Sequence, residues 1–512
     1  MSDTAVAESG TRLQNFLDRA GLRGFPWKTA TILYTISWGW LLIVHDSYWS
    51  DDWNLFPRHA LKLSESAWSL MGYAPWVKLQ INFFGFVGPT AFRLIIFASY
   101  FIIAILLFSI VGQVKVLGIL DKSYFVLLVL MLPFNTARVA LMTFPYTIGF
   151  MIFCLGWRLY LNSNWRVKCF AALPILFFSF MLHSLLFYVF LPICLSFFDL
   201  PKKNFHEVLD WFKKSIFLIL LPLIYVVMRT FFWPESTAYH EINFNKLLGT
   251  ADFVLTFCVF SLVLILLERK FIRVRNGIRL INLGVVSSFF GVYAYVLLGF
   301  YDSSWSIFSK FWITFLGRSD WYSRHQILQQ FGAALLVVGL TNLNLTLWAK
   351  RAKSVQISIL TCCVLLNVGF GFEYIVDYQK QKEIIHQLSA VDESESKTDY
   401  QFIDQTKLLN ARGRAFRDNR DWQGLIWLGR GVEEWRQSKV STTCDFSEET
   451  RLVLIQGPET HWEALKNWVS EGDMGFEVTV DDTPGACKPE MVTSGRVSGA
   501  IPILFYFTGA RG

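Results

Sequence analysis

Charge is scarce in this chain. Asp, Glu, Lys and Arg make up 17% of its 512 residues, against 53% hydrophobic residues, which excludes the composition of an ordinary soluble domain. Strand-like alternation of polar and apolar residues is also missing. That excludes a closed membrane barrel and leaves helices, the other backbone geometry that satisfies its own polar groups in lipid. Residues 1–28 are polar and lack the short apolar stretch and small-residue cleavage site of a secretory leader, so the first apolar block is expected to be an uncleaved anchor. No lipidation motif is present. The absence of a Walker loop, a dinucleotide fingerprint and a nucleophile elbow argues against ATP-driven transport and against direct use of a nucleotide-linked substrate. No Cys or His spacing fits zinc. The net charge of +7 comes without a basic stripe interleaved with aromatics, so a nucleic-acid partner is not expected.

What the chain does have is apolar blocks. They fall at residues 30–44, 92–112, 124–134, 144–160, 216–227, 253–267, 281–300, 328–348 and 357–374, and a helix needs about 20 such residues to cross about 30 Å of hydrocarbon. Between them the basic residues cluster at 115–122, 162–168, 202–214, 268–279 and 350–353, the pattern of cytoplasmic loops. The run 169–200 has basic segments at both ends, so it is expected to be a hairpin of two short helices turning near His183. The total is about eleven spans, with the N-terminus cytoplasmic and the C-terminal region on the opposite face.

From residue 377 charged residues become frequent and apolar runs shorten. The expected organisation is a cytoplasmic segment, 1–28, an all-α polytopic region, 29–376, with a first outer loop at about 46–89, and a small α/β domain, 377–512. Strands are expected at 399–404, 451–456 and 476–480, a helix at 461–470 with Ala464, Leu465 and Trp468 at helical spacing, and a buried strand at 501–507. Cys444 and Cys487 both fall in this outer domain. An even pair in an oxidising compartment suggests a disulfide, contributing about 3–4 kcal/mol in the chain-entropy picture.

The chemistry-bearing motif follows the first span: His45-Asp46-Ser47-Tyr48-Trp49-Ser50-Asp51-Asp52-Trp53. Three carboxylates at the edge of a bilayer are expensive and imply a polar task. Asp46, Asp51 and Asp52 are candidates for a general base toward a hydroxyl, because burial and a neighbouring carboxylate both raise one pKa of a pair. The plainer reading is a solvated helix cap, and the two are compatible. Pro57 and the segment 58–71, with Ala60, Leu63, Ala67, Leu70 and Met71 along one face, read as an interfacial helix.

An acidic pair in the first outer loop, ahead of an interfacial helix, resembles the C-type (GT-C) membrane glycosyltransferases. In particular Ser47-Tyr48-Trp49-Ser50-Asp51-Asp52-Trp53, with Arg58 downstream, is similar to the tyrosine–aspartate–aspartate pattern of serotype-converting O-antigen glucosyltransferases. The family's Arg follows its acidic pair more closely than Arg58 does, and Tyr73-Ala74-Pro75-Trp76-Val77-Lys78 stands where a glycine–arginine element is expected. The resemblance implies a bacterial inner-membrane enzyme that moves one sugar from a polyprenyl-phosphate donor to a glycan or protein acceptor on the periplasmic face, with Asp51 or Asp52 as base.

Such a donor needs outer cations for its phosphate. Arg138, Arg229, Arg318 and Arg324 are the candidates, with snorkelling to lipid headgroups as the plainer role. His183 and His325 are candidate acceptor or acid/base groups, with a polar residue marking the turn as the favoured reading of His183. No cofactor is required, although an acidic pair can hold Mg²⁺ or Mn²⁺ against a phosphate. Two other readings stay open. An O-antigen polymerase or ligase would rely on arginines with a histidine, as in 318–325. A transporter or lipid flippase would carry ionisable residues mid-span and internal repeats, and no repeat is found.

Overall fold

The structure is a computed structural model that describes residues 21–49, 52, 73–117, 121–162, 164–200, 204–234, 248, 250–297, 326–347, 352–391, 399–406, 419–431, 439–441, 450–458 and 460–481. The chain is predominantly helical. Five described helices are long and apolar enough to cross a membrane: Val87–Val111, Phe205–Phe232, Ala251–Lys270, Ile272–Leu297 and Lys353–Ala390. Their outward faces carry exposed Leu223, Phe231, Leu255, Leu262 and Leu266. Such surfaces suit lipid and would be a liability in water.

Helix α1 (Trp27–Trp38) continues past Gly39 as a short turn, Trp40–Ile43. Helix α2 (Pro75–Val111) is broken at Gly88, whose φ of 77° only glycine adopts cheaply, and at Pro89, which cannot donate to the ladder. Residues 75–87, expected as part of a loop, are therefore a helix that precedes the span proper. Its apolar sequence, with Leu79 and Phe83 exposed, accounts for the difference. The expected interfacial helix at 58–71 lies outside the described residues.

Helix α3 (Lys122–Met131) is only ten residues long. The chain beyond it runs buried through two short 3-10 turns, Thr136–Val139 and Leu141–Thr143, to α4 (Phe144–Tyr160), and side chains satisfy the carbonyls that no α-helical ladder takes up. Asn367 Nδ2 donates to the Met131 carbonyl (2.7 Å), Trp38 Nε1 to Leu130 (2.9 Å) and Arg138 Nη2 to Phe134 (2.8 Å). Irregular backbone at membrane depth survives only when protein groups satisfy it in this way.

The run 169–200 is a hairpin, as its charge pattern suggested. One arm ends in α5 (Leu173–Ser179) and the return arm in α6 (Phe190–Phe198). Both outer ends meet the first half of α7 (Phe205–Phe232). Trp165 lies 5.6 Å from Phe217, and Phe197 lies 5.1 Å from Trp211. The turn reaches Tyr225 instead, 6.3 Å from the His183 ring. The same end of the bundle as the outer ends gathers the polar contacts Lys115–Asp199 (3.2 Å), Arg158–Ser109 (2.5 Å) and Tyr160 to the Lys214 carbonyl (2.8 Å). The opposite end holds the acidic motif.

Helix α8 (Ala251–Lys270) leads to α9 (Arg275–Leu297), which pairs antiparallel with α10 (Gln329–Leu347) at backbone contact distance. Gly277, Gly284 and Gly291 recur every seven residues on one helix, the first two meeting Gly339 and Gly332 on the other and the third meeting Leu328. A methyl on Gly332 would sit 2.6 Å from the Ser288 nitrogen and 2.7 Å from the Gly284 oxygen. Small residues give membrane helices this close approach.

Helix α11 (Ala352–Ala390) is 39 residues long. The boundary expected at residue 377 falls inside it, so the membrane region and the α/β layer share this helix. Beyond it lie β1 (Asp399–Asp404), α12 (Asn419–Arg430), β2 (Lys439–Ser441), β3 (Arg451–Gln456), α13 (His461–Glu471) and β4 (Glu477–Asp481). The strands are ordered β2-β1-β3-β4, with β1 parallel to β2 and β3, and β3 antiparallel to β4. Strands β1 and β3 begin and end where their sequences suggested, and β4 is shifted by one residue. Helix α12 and strand β2 had not been anticipated. Phe402 stacks on Trp422 at 4.7 Å, and Leu388 of α11 packs beneath Gly429. The segment 501–507 lies outside the described residues.

Candidate active site at the head of the first span

The site is built where the chain leaves α1. A charged loop here must be held, because its backbone cannot rejoin a helix and its acids would otherwise pull it toward solvent. Ser47 Oγ donates to the Val44 carbonyl (2.7 Å), and Trp49 Nε1 donates back to Ser47 Oγ (2.6 Å). Trp49 is 1% exposed and packs edge-on against Tyr374 of α11 at 5.1 Å, while Trp40 stacks on the same Tyr374 at 5.0 Å. Gly371 makes the stack possible, since a methyl there would overlap the Trp40 ring.

Asp52 is fully buried. Its Oδ2 accepts the Trp49 backbone N–H (2.9 Å), and its own N–H donates to the Trp49 carbonyl (3.1 Å). The carboxylate thus ties residue 52 back to residue 49. Asp46 is half exposed, accepts a hydrogen bond from the Tyr378 hydroxyl and lies 3.8 Å from His45 Nδ1. Tyr48 is clamped through its backbone by Gln381, whose Oε1 accepts from the Tyr48 nitrogen (3.3 Å) and whose Nε2 donates to the Tyr48 carbonyl (3.0 Å). Burial pushes the Tyr48 phenol up to about 12. Asp52 and Asp46 act in the same direction and Arg93 opposes them. The phenol therefore stays protonated at neutral pH.

Arg93 is the residue that sequence reasoning missed. It is 1% exposed, just beyond the α2 break. Its Nη1 donates to the His45 carbonyl (2.6 Å), its Nη2 to the Ser47 carbonyl (2.6 Å), and Nε and Nη2 both reach the Val139 carbonyl (3.2 and 3.1 Å). Asp52 and Asp46 both lie within its electrostatic reach. A planar fork suits this task, because it holds several acceptors at once. A signal was available: Arg93 is the sole charged side chain between Lys78 and Lys115.

Glu373 and Asp377, one turn apart on α11, are also buried and had not been singled out. Tyr374, Tyr378 and Gln381 form the α11 side that faces the first span and the loop. One turn further, Lys380 is buried and pairs with Asp404 at the end of β1, while its Nζ also donates to Thr406 Oγ1 (2.9 Å).

Of the expected phosphate ligands, the two among the described residues, Arg138 and Arg229, lie apart. Arg138 is 1% exposed, with its guanidinium 3.6 Å from the ring centroids of both Trp38 and Tyr100. Its Nε donates to the Asn135 carbonyl (3.0 Å), and its Nη1 has no protein partner. It thus lies in the wall behind the acidic loop, joined to Arg93 through Val139. His183 and Arg229 come together elsewhere, around Tyr225. His183 stacks on Tyr73 at 5.0 Å, and Trp76 and Trp233 lie 6.4 and 6.0 Å from the Tyr225 ring. The helical segment 75–87 links this aromatic cluster to the acidic loop, and the 14 residues from Trp76 to Thr90 span roughly 20 Å. Asp51, Arg318, Arg324, His325, Cys444 and Cys487 lie outside the described residues.

Among the described residues no group of three or more His, Cys, Asp or Glu side chains is placed to hold a metal ion. Comparison with family models, curated proteins and solved structures finds no match to this chain.

Proposed function

We propose that this protein is a GT-C-type glycosyltransferase of the bacterial inner membrane, with about eleven spans and its acidic loop on the periplasmic face. It moves one sugar from a polyprenyl-phosphate donor to a hydroxyl of a surface glycan or a protein. The observation that carries the proposal is Asp52, buried in a loop pinned by Arg93 from one side and by Tyr378 and Gln381 from the other. So much structure around a short acidic loop suits a group that must be held in one orientation.

In this mechanism Asp52 fixes the turn, and the adjacent Asp51 takes the proton from the acceptor hydroxyl. The acceptor oxygen attacks the anomeric carbon, the carbon–oxygen bond to phosphate breaks, and polyprenyl phosphate leaves with the electron pair. Arg318 and Arg324 stabilise the charge that develops on the phosphate. Arg229, near the aromatic cluster, is the third cation for the donor. The exposed Leu79 and Phe83 of segment 75–87 give the isoprenoid an apolar path toward the loop. Mass spectrometry of surface glycans and secreted proteins from strains with and without the gene tests the proposal. A single-sugar mass difference that returns with the wild-type gene and not with Asp51→Asn supports it, and identical glycans in both strains overturn it.

One observation favours a second reading. Glu373 and Asp377 are buried acids on a candidate spanning helix, the placement used by ion-coupled transporters. Lipid scrambling or solute uptake by proteoliposomes, with no glycosyl transfer, would establish that alternative.

A further inference from the structure

The turn that leads into α10 and the first two residues of the helix hold three glutamines: Gln326, Gln329 and Gln330. They lie within five residues of one another. Each is fully buried, and neither the Oε1 nor the Nε2 of any of the three has a hydrogen-bond partner. Burying a carboxamide unsatisfied is costly, and three of them together weigh heavily against the marginal stability of a domain. Such a cluster persists when another molecule completes it.

The surroundings say what kind of molecule fits. Leu328 is packed against Gly291, and the Phe331 ring lies 5.5 Å from Phe125 and 5.7 Å from Trp157. One turn beyond Gly291, Tyr295 donates to Ser184 Oγ (2.9 Å), beside His183 at the hairpin turn. The glutamine turn is therefore packed among α9, α3 and α4, one turn along α9 from Tyr295. A carboxamide offers donors and an acceptor together and carries no charge. Phosphate, which offers only acceptors, is better served by Arg or Lys. Divalent cations call for carboxylates. Neutral hydroxyl-rich ligands present alternating donors and acceptors, and an apolar wall with a few convergent polar groups is how small-molecule sites hold such a ligand.

We propose that Gln326, Gln329 and Gln330 form a saccharide-binding site that grips a sugar ring through its hydroxyls. On the transferase reading, on which the identity of the ligand rests, this is the sugar carried by the polyprenyl-phosphate donor.

The test uses full-length protein in a detergent without a sugar headgroup. The probes are polyprenyl phosphate alone, polyprenyl-phosphate glucose, galactose and N-acetylglucosamine, and the three free methyl glycosides. Wild-type protein is expected to bind at least one sugar-bearing lipid about tenfold or more tightly than the bare lipid. Gln326→Leu, Gln329→Leu and Gln330→Leu should each reduce that preference while leaving bare-lipid affinity unchanged. Replacing an unsatisfied amide by an apolar isostere should keep or raise the thermal midpoint of the ligand-free protein, as happens when function is exchanged for stability. The proposal is overturned if the wild type shows no preference for any sugar-bearing probe, if all three variants keep the preference, or if the variants melt lower without ligand. A wild type that binds methyl glycosides through these glutamines but transfers no sugar would retire the transferase reading and leave the saccharide site standing.

Discussion

Arg93 and Asp52 show how a single charge shapes this loop. Every protein acceptor of Arg93 named above is a backbone carbonyl, so its work is to fix the path of residues 45–47 and to supply positive potential to the acids beside it. Hydrogen bonds to a charged group contribute about 1.5–3 kcal/mol each. Arg93→Lys keeps the charge and loses the fork. The expected result is a fall in kcat of about tenfold or more with a small change in KM, because a misplaced loop impairs chemistry before it impairs binding. Steady-state kinetics on the two proteins check this. Asp46→Asn should be milder, since Asp46 is half exposed and its Tyr378 partner can donate equally well to an amide oxygen. A loss in kcat as large as that of Asp51→Asn would show that Asp46 is the base instead. The acids were readable from the sequence because charges beside an apolar block stand out. Their partners were not, since Tyr378 and Gln381 lie more than 300 residues further on and only folding brings them to the loop.

Among the elements, the α9–α10 pair and helix α11 differ most in what their glycines do. Gly284 and Gly332 lie where two backbones touch, and a methyl on either would meet main-chain atoms within 2.8 Å. Gly332→Val should therefore force the helices apart and cost about 1–3 kcal/mol, as overpacking does. Gly369 in α11 has nothing within 4 Å of such a methyl. Gly369→Ala should be neutral or stabilising by up to about 1 kcal/mol, the helix-propensity difference. Thermal unfolding of both variants in detergent tests the contrast.

The element pattern was readable wherever periodicity was strong. The hairpin at 169–200 followed from charge at its two ends, β1 and β3 were read as short strands where charged residues become frequent, and α13 followed from helical spacing. Segment 75–87 was hidden because its apolar run merges with the next span, and the break is a backbone event at Gly88 and Pro89. The short α3 with its irregular continuation was also hidden. Nothing in 132–143 announces that Arg138, Arg93 and Trp38 will take over the backbone hydrogen bonds.

Seen whole, the molecule is unified by α11. Tyr374 packs on the first span, Tyr378 and Gln381 hold the acidic loop, and Ile384 and Leu388 enter the core beneath the sheet. One apolar core runs from the membrane helices to Phe402 and Val453 of the α/β layer. The Lys380–Asp404 pair locks the two parts at their junction. Lys380→Met leaves Asp404 facing a nearly dry site, and breaking a buried pair in this way costs about 3–5 kcal/mol. The expected outcome is a lower thermal midpoint, together with proteolytic cleavage between α11 and β1 that wild-type protein resists. Composition alone placed a boundary at residue 377, where charge becomes frequent. The helix ignores that change because its buried side stays continuous through it.

Transfer itself is the direct test of the whole proposal. Purified wild-type, Asp51→Asn, Asp52→Asn and Arg93→Lys proteins would be given a polyprenyl-phosphate sugar labelled in the sugar ring and an extract of surface glycan acceptor, and label in the acceptor would be counted. The expected result is transfer by wild type, a loss of about 100-fold or more for Asp51→Asn, in line with removal of a general base, and intermediate losses for the other two. Wild-type rates from Asp51→Asn, with the label still reaching the acceptor, would contradict it.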